Sequence, residues 1–137
     1  MKTTKIGVIG CGNISGIYLK ADKVFEILET VACADIVMER AQAQAQAHDI
    51  PRACTVEELL ADPEIEIVVN LTIPQAHHEV AMAVVEAGKS VHNEKPLTVT
   101  REQGKELLAL AKEKGLMRFL KPLSTGCPRP REITTAP

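Results

Sequence analysis

Residues 5–16 read Lys-Ile-Gly-Val-Ile-Gly-Cys-Gly-Asn-Ile-Ser-Gly, a short apolar run that breaks into a glycine turn, followed by residues able to open a helix. A strand passing through a tight turn into a helix is how a nucleotide-binding βαβ unit begins. Gly10 and Gly12 take the first two glycine places of the dinucleotide fingerprint. At those places a tight turn and the close approach of backbone to a pyrophosphate exclude a Cβ. Ser15 holds the third place with Gly16 beside it, and a small residue there still lets the helix pack close to the strand. Exposed N–H groups at the helix start, with the positive end of its dipole, favour a phosphate. Glycines also mark ordinary turns that hold no ligand, so the surrounding sequence carries the decision.

Residues 30–36, Thr-Val-Ala-Cys-Ala-Asp-Ile, read as a second short apolar strand with Asp35 at its end. That is somewhat beyond the ~20-residue spacing of an acidic ribose partner, a difference that a slightly longer first helix accommodates. An Asp at this tip accepts hydrogen bonds from both adenosine ribose hydroxyls and repels a 2′-phosphate. No Arg or Lys follows it immediately, so these residues favour NAD over NADP. The structural alternative is that Asp35 caps the next helix, a common use of Asp. Strand, glycine loop, helix, strand and acid in this order favour the cofactor reading.

With 137 residues, 45% of them hydrophobic and 25% charged, the chain has the size and composition of one globular domain with a core. A net charge of −2 and only Tyr18, Phe25 and Phe119 as aromatics argue against a nucleic-acid partner. Cys11, Cys33, Cys54 and Cys127 are far apart and form no paired metal-ligand spacing, so reduced thiols and no metal site are expected, with Cys11 a small buried residue. The apolar N-terminal run ends after five or six residues, and no stretch approaches a membrane span, which points to a cytoplasmic protein with no membrane partner.

Strands and helices alternate from Lys5 to about Phe119, predicting an α/β fold with a doubly wound, mostly parallel sheet. Residues 41–47 alternate Ala and Gln, but both are good helix formers and the β-branched and aromatic residues of strands are absent, so a helix is expected over 37–48. Thr55 with Glu58, and Thr100 with Gln103, are capping-box signatures for two further helices. Residues 65–73 and 89–93 read as strands, 76–87 as a helix stopped by Gly88, and 116–120 as a last strand. Four of the eight prolines fall in the last 16 residues, so residues 1–120 are expected to form the domain and 121–137 an irregular or disordered tail.

The glycine loop, Asp35 and above all Glu94-Lys95-Pro96 after the strand ending near Asn93 together resemble the Gfo/Idh/MocA family of NAD(P)-dependent oxidoreductases. Pro74-Gln75-Ala76-His77-His78 leading into a helix, and Glu86-Ala87-Gly88-Lys89-Ser90-Val91 before the Glu-Lys-Pro triplet, strengthen the likeness, which spans roughly Lys5 to Met117. The resemblance implies a Rossmann domain whose usual partner, a C-terminal sheet domain supplying most substrate contacts, is missing from this chain. It implies that Lys95 lies near nicotinamide and substrate as the catalytic ammonium, with a cis peptide before Pro96. It further implies cofactor contacts from Gly10, Gly12, Asn13 and Ile14 in the loop, from Asp35, and from Ile73, Pro74 and His78 around the next helix start. Glu94 and Pro96 join Lys95 on the nicotinamide side, where Glu94 binds near the ribose or orients the Lys95 loop.

An ammonium beside a reacting oxygen stabilises developing negative charge or takes part in proton transfer. His78 is expected to cap or hydrogen-bond, His77 to face solvent, and His48 and His92 have no catalytic claim. From about Arg118 the sequence departs from the family pattern, and a truncation, a frameshifted reading frame or a natural fragment would each give such a proline-rich end. The favoured reading is the cofactor half of an oxidoreductase acting on a sugar, polyol or similar small hydroxy compound. The alternative is a nucleotide-binding or regulatory module without turnover, paired as a homodimer through a sheet edge or domain face.

Overall fold

The computed structural model describes residues 2–116 and the backbone of residues 118–120. The element order is β1 (Thr4–Ile9), α1 (Ser15–Leu19), α2 (Ala21–Val24), β2 (Leu28–Ala34), α3 (Met38–His48), β3 (Ala53–Cys54), α4 (Val56–Ala61), β4 (Ile67–Asn70), α5 (Pro74–Glu86), β5 (Ser90–Asn93), α6 (Arg101–Glu113) and β6 (Arg118–Leu120). The six strands form one sheet in the order β3-β2-β1-β4-β5-β6, and every pairing is parallel. The chain works outward from β1 to β3, then returns to lay β4 on the other side of β1. Such a reversal opens a crevice at the carboxyl ends of the central strands.

The strand period sorts the apolar residues onto two faces. Ile9, Ala32, Ala34, Val68 and Val91 pack with Leu59 of α4, Ala81, Val84 and Val85 of α5, and Leu107 and Ala111 of α6. Val8, Cys33 and Val69 pack the opposite way against Leu19 of α1 and Ala41 and Ala45 of α3. The Ala/Gln repeat is therefore a helix, and its alanines let α3 lie close to the sheet. Both capping boxes form, with Thr55 accepting from the Glu58 N–H and Thr100 from the Gln103 N–H. Among the described residues no helix is long and apolar enough to cross a membrane.

Several boundaries differ from the sequence reading for local reasons. The first helix breaks at Lys20 into α1 and α2. The strand expected over 65–73 ends at Asn70 because the Asn70 carboxamide oxygen accepts from the N–H and hydroxyl of Thr72, turning the chain. α5 starts at Pro74 itself, whose missing N–H costs nothing at the first helical position. β3, two residues long, is too short to leave a periodic signal. The expectation for the tail at 121–137 lies outside the described residues.

Candidate functional site

The glycine loop leaves β1 at the crevice. Gly10 has φ of +102°, and a Cβ there would stand 2.7 Å from the Leu71 carbonyl carbon, so only glycine fits. A Cβ on Gly12 would meet nothing within 4 Å; within the chain that position is open. The Ser15 hydroxyl donates to the Gly12 carbonyl at 2.6 Å and the Ser15 side chain is buried, which closes the loop onto α1. No hydrogen bond among the described residues takes up the N–H groups of Gly12, Asn13 and Ile14, all three exposed. Unsatisfied N–H groups at a helix start form an anion seat.

Asp35 follows β2 directly and does two structural tasks. Its Oδ2 accepts from the Cys11 N–H at 2.8 Å, and its Oδ1 accepts from the Val37 N–H at 2.9 Å. The first bond ties the glycine loop to the tip of β2; the second turns the chain into α3. Helix α3 itself has no side-chain cap, so Asp35 shapes the approach to the helix without capping it. A cavity of about 250 Å³ opens here, lined by Gly10, Gly12, Asp35, Ile36, Arg40, Leu71, Thr72 and Ile73 among others. Ile36 is 95% exposed and Ile73 68% exposed at this cavity, an arrangement suited to a flat apolar ring. Two larger, shallower hollows lie elsewhere: one runs along the amino ends of β1, β4 and β5 around Lys89, the other beside the Arg52–Asp62 ion pair. Neither gathers the motif residues, so size does not mark the site.

The Cys11 thiol is pushed far up by its hydrogen bond to the Cys33 thiol and by burial. It donates to the Ala34 carbonyl at 3.5 Å. Cys11, Cys33 and Cys54 are free and buried, as expected of small core residues; Cys127 lies outside the described residues.

The triplet Glu94-Lys95-Pro96 follows β5 on the other side of the switch point, with a cis Lys95–Pro96 peptide. Lys95 is exposed, and no group among the described residues pairs with its ammonium. Glu94 is half-buried: its Oε2 accepts from the Tyr18 hydroxyl of α1 and its Oε1 from the Lys95 N–H at 3.3 Å. Burial, then the hydrogen bond and charge of Glu94, push the Tyr18 phenol well above its ordinary value.

The histidines correct the sequence reading. His77, expected in solvent, is 1% exposed, and its Nδ1 lies at hydrogen-bond distance from the Pro96 carbonyl. A carbonyl only accepts, so Nδ1 carries the proton. The reason lies in the chain path: α5 begins against the triplet loop, and Asn70 Nδ2 donates to the His77 carbonyl at 3.1 Å, which brings that first turn inward. His78 turns to α6 instead, with Nε2 3.0 Å from Glu106 Oε2 but not aligned as a hydrogen bond, and it does not line the cavity.

The structure thus brings Gly10, Gly12, Asp35 and Ile73 to one cavity, sets Asn13 and Ile14 on the loop beside it, places Pro74 at the start of α5, and puts Glu94, Lys95 and Pro96 together at the end of β5. Sequence reading missed Ile36, Arg40 and Tyr18. An apolar residue just past the β2 acid was the available signal for Ile36; a cation one helical turn further on was the signal for Arg40. For Tyr18 there was none, because its partner lies 76 residues away.

Residues 4–121 match the model of an oxidoreductase family with an NAD-binding Rossmann fold, GFO_IDH_MocA. The chain is 34% identical over 118 residues to a scyllo-inositol 2-dehydrogenase (NADP(+)) of Bacillus subtilis, covering 84% of this chain and 32% of that protein. It is 34% identical over 113 residues to a trans-1,2-dihydrobenzene-1,2-diol dehydrogenase of Xenopus laevis, covering 80% and 34% respectively. It superposes on the crystal structure of GenD2 from gentamicin A biosynthesis in complex with NAD, with a TM-score of 0.83 at 25% identity, covering 88% of this chain and 34% of that one. The chain spans about a third of the length of these curated relatives.

Proposed function

Because the chain belongs to the Gfo/Idh/MocA oxidoreductase family, with its NAD-binding Rossmann fold, we propose that it is the cofactor-binding part of an enzyme moving hydride between a nicotinamide dinucleotide and a small hydroxy compound. The observation that carries this reading is the meeting of the Gly10–Gly12 loop, the Asp35 carboxylate and the exposed Ile36 and Ile73 at one cavity. Those residues fit an adenosine diphosphate: the free loop N–H groups seat the pyrophosphate, Asp35 accepts from the ribose hydroxyls, and the two isoleucines flank the base. A sugar or polyol is the substrate class, since the two curated relatives are named for an inositol and a diol.

Asp35 favours NAD over NADP, because its charge repels a 2′-phosphate. When bound, the nicotinamide supplies the hydride chemistry, and the chain supplies orientation and electrostatics. Lys95 presents its ammonium to the substrate oxygen, stabilising negative charge there or passing a proton. Glu94, Pro74 and Pro96 shape the loops around it. Residues 1–120 form this domain, and substrate enclosure comes from a second domain.

Calorimetric titration of the folded chain with NAD and NADP tests the reading, with Asp35→Ala as control. NAD should bind more tightly than NADP, and the variant should lose about tenfold in NAD affinity, the value of one charge-assisted hydrogen bond. A folded chain that binds neither dinucleotide would sink the proposal.

A further inference from the structure

We propose that Tyr18 is a positioning residue for the nicotinamide half of the cofactor, its hydroxyl fixing the Glu94 carboxylate so that this carboxylate accepts from a hydroxyl of the nicotinamide ribose. The inference rests on the cofactor reading above and concerns the end of the site that the cavity does not cover.

Tyr18 stands on α1, the helix launched by the glycine loop, while Glu94 leaves β5 on the far side of the switch point. The bond from Tyr18 Oη to Glu94 Oε2 is a direct link between the loop that seats phosphate and the loop that carries Lys95. Three more contacts fix its geometry. The Tyr18 ring leans on His92 of β5 with centroids 6.1 Å apart. The Glu94 N–H donates to the Asn70 carbonyl at 3.1 Å, and Glu94 Oε1 accepts from the Lys95 N–H at 3.3 Å. Both the backbone and the carboxylate of Glu94 are therefore tied down.

A dinucleotide seated with its pyrophosphate at the switch point extends one ribose to each side. Asp35 is the carboxylate at the β2 end; Glu94 is the carboxylate at the β5 end. The two positions correspond across the crevice, each following the last residue of its strand, and each carboxylate accepts from neutral donors. A phenol is the appropriate holder: it orients the anion without neutralising it, as a lysine or arginine would. Burial and the neighbouring carboxylate keep that phenol protonated, so it stays a donor throughout the working pH range.

Comparing NADH with ADP, which lacks both the nicotinamide and the ribose that bears it, isolates this end of the site. The wild-type chain should bind NADH more tightly than ADP. Tyr18→Phe should lose about tenfold on NADH, the value of a charge-assisted hydrogen bond, and stay within about twofold on ADP. Glu94→Gln should show the same selective loss, and the double variant no more than the larger single one, because both remove one contact. Equal losses on both ligands would reduce Tyr18 to a packing residue and overturn the inference. NADH and ADP binding equally well to wild type would overturn it while leaving the cofactor reading standing. Failure of the wild type to bind either ligand would remove both.

Discussion

Around Asp35 the carboxyl edge of the sheet closes into a cavity of about 250 Å³ whose acid is held by two backbone N–H groups, whereas around Lys95 the same edge presents an exposed ammonium that nothing among the described residues pairs. One end is shaped before any ligand arrives; the other is oriented at Glu94 but open. Binding the adenosine half of a dinucleotide needs a preformed shape, which β1, β2 and β4 supply by themselves. Chemistry at the nicotinamide needs a substrate held in place and water kept away, and orientation and desolvation account for much of an enzyme's rate. On the proposed function, cofactor affinity and turnover should therefore be separable, with the division running through the switch point.

The glycine loop offers the sharpest way to break that picture, because its two glycines serve different ends. Gly10→Ala puts a Cβ 2.7 Å from the Leu71 carbonyl carbon at a φ of +102°, where both strain and overlap act on the fold. We expect a loss of ~2–4 kcal/mol in denaturant unfolding. Gly12→Val meets nothing within 4 Å of its first added atom, so stability should hold within ~0.5 kcal/mol. Dinucleotide affinity should nevertheless fall about 100-fold, since the side chain occupies the space the pyrophosphate needs. If Gly12→Val binds NAD as well as the parent chain, the loop does not seat the phosphates and the adenosine end loses its role.

The extent to which this was legible in the sequence follows the range of the interactions. Gly10, Asp35 and the two capping boxes act within a few residues of themselves or through a fixed strand-loop-helix order, and local pattern exposed them. The parallel, doubly wound sheet followed from the alternation of elements, whereas its strand order came from the structure. What escaped was set by packing between distant segments: the inward turn of His77 depends on where α5 meets the Pro96 loop, and the Tyr18–Glu94 bond depends on α1 reaching the end of β5. Asp35 itself was read only in part. A ribose role was expected from its place at the tip of β2 and remains a proposal, but its bond to the Cys11 N–H, which ties the loop down, appears only once the two strands lie side by side.

The smallest expected effect sharpens how the adenosine end reads its ribose. Arg40 is the cation in the cavity lining, on the same rim as Asp35, one helical turn too late to be seen as the residue following the acid. On the proposed reading Asp35 would oppose a 2′-phosphate and Arg40 would offset part of that repulsion, so NADP should retain weak binding. Because the guanidinium is solvent-exposed, its contribution is that of a surface ion pair, about 1 kcal/mol or less. Arg40→Ala should accordingly weaken NADP about fivefold and leave NAD within about twofold in parallel titrations. Raising the salt concentration should shrink the difference, as screening of exposed charges requires. Equal losses for the two dinucleotides would mean that Arg40 is part of the cavity wall, and that discrimination at the ribose belongs to Asp35 alone.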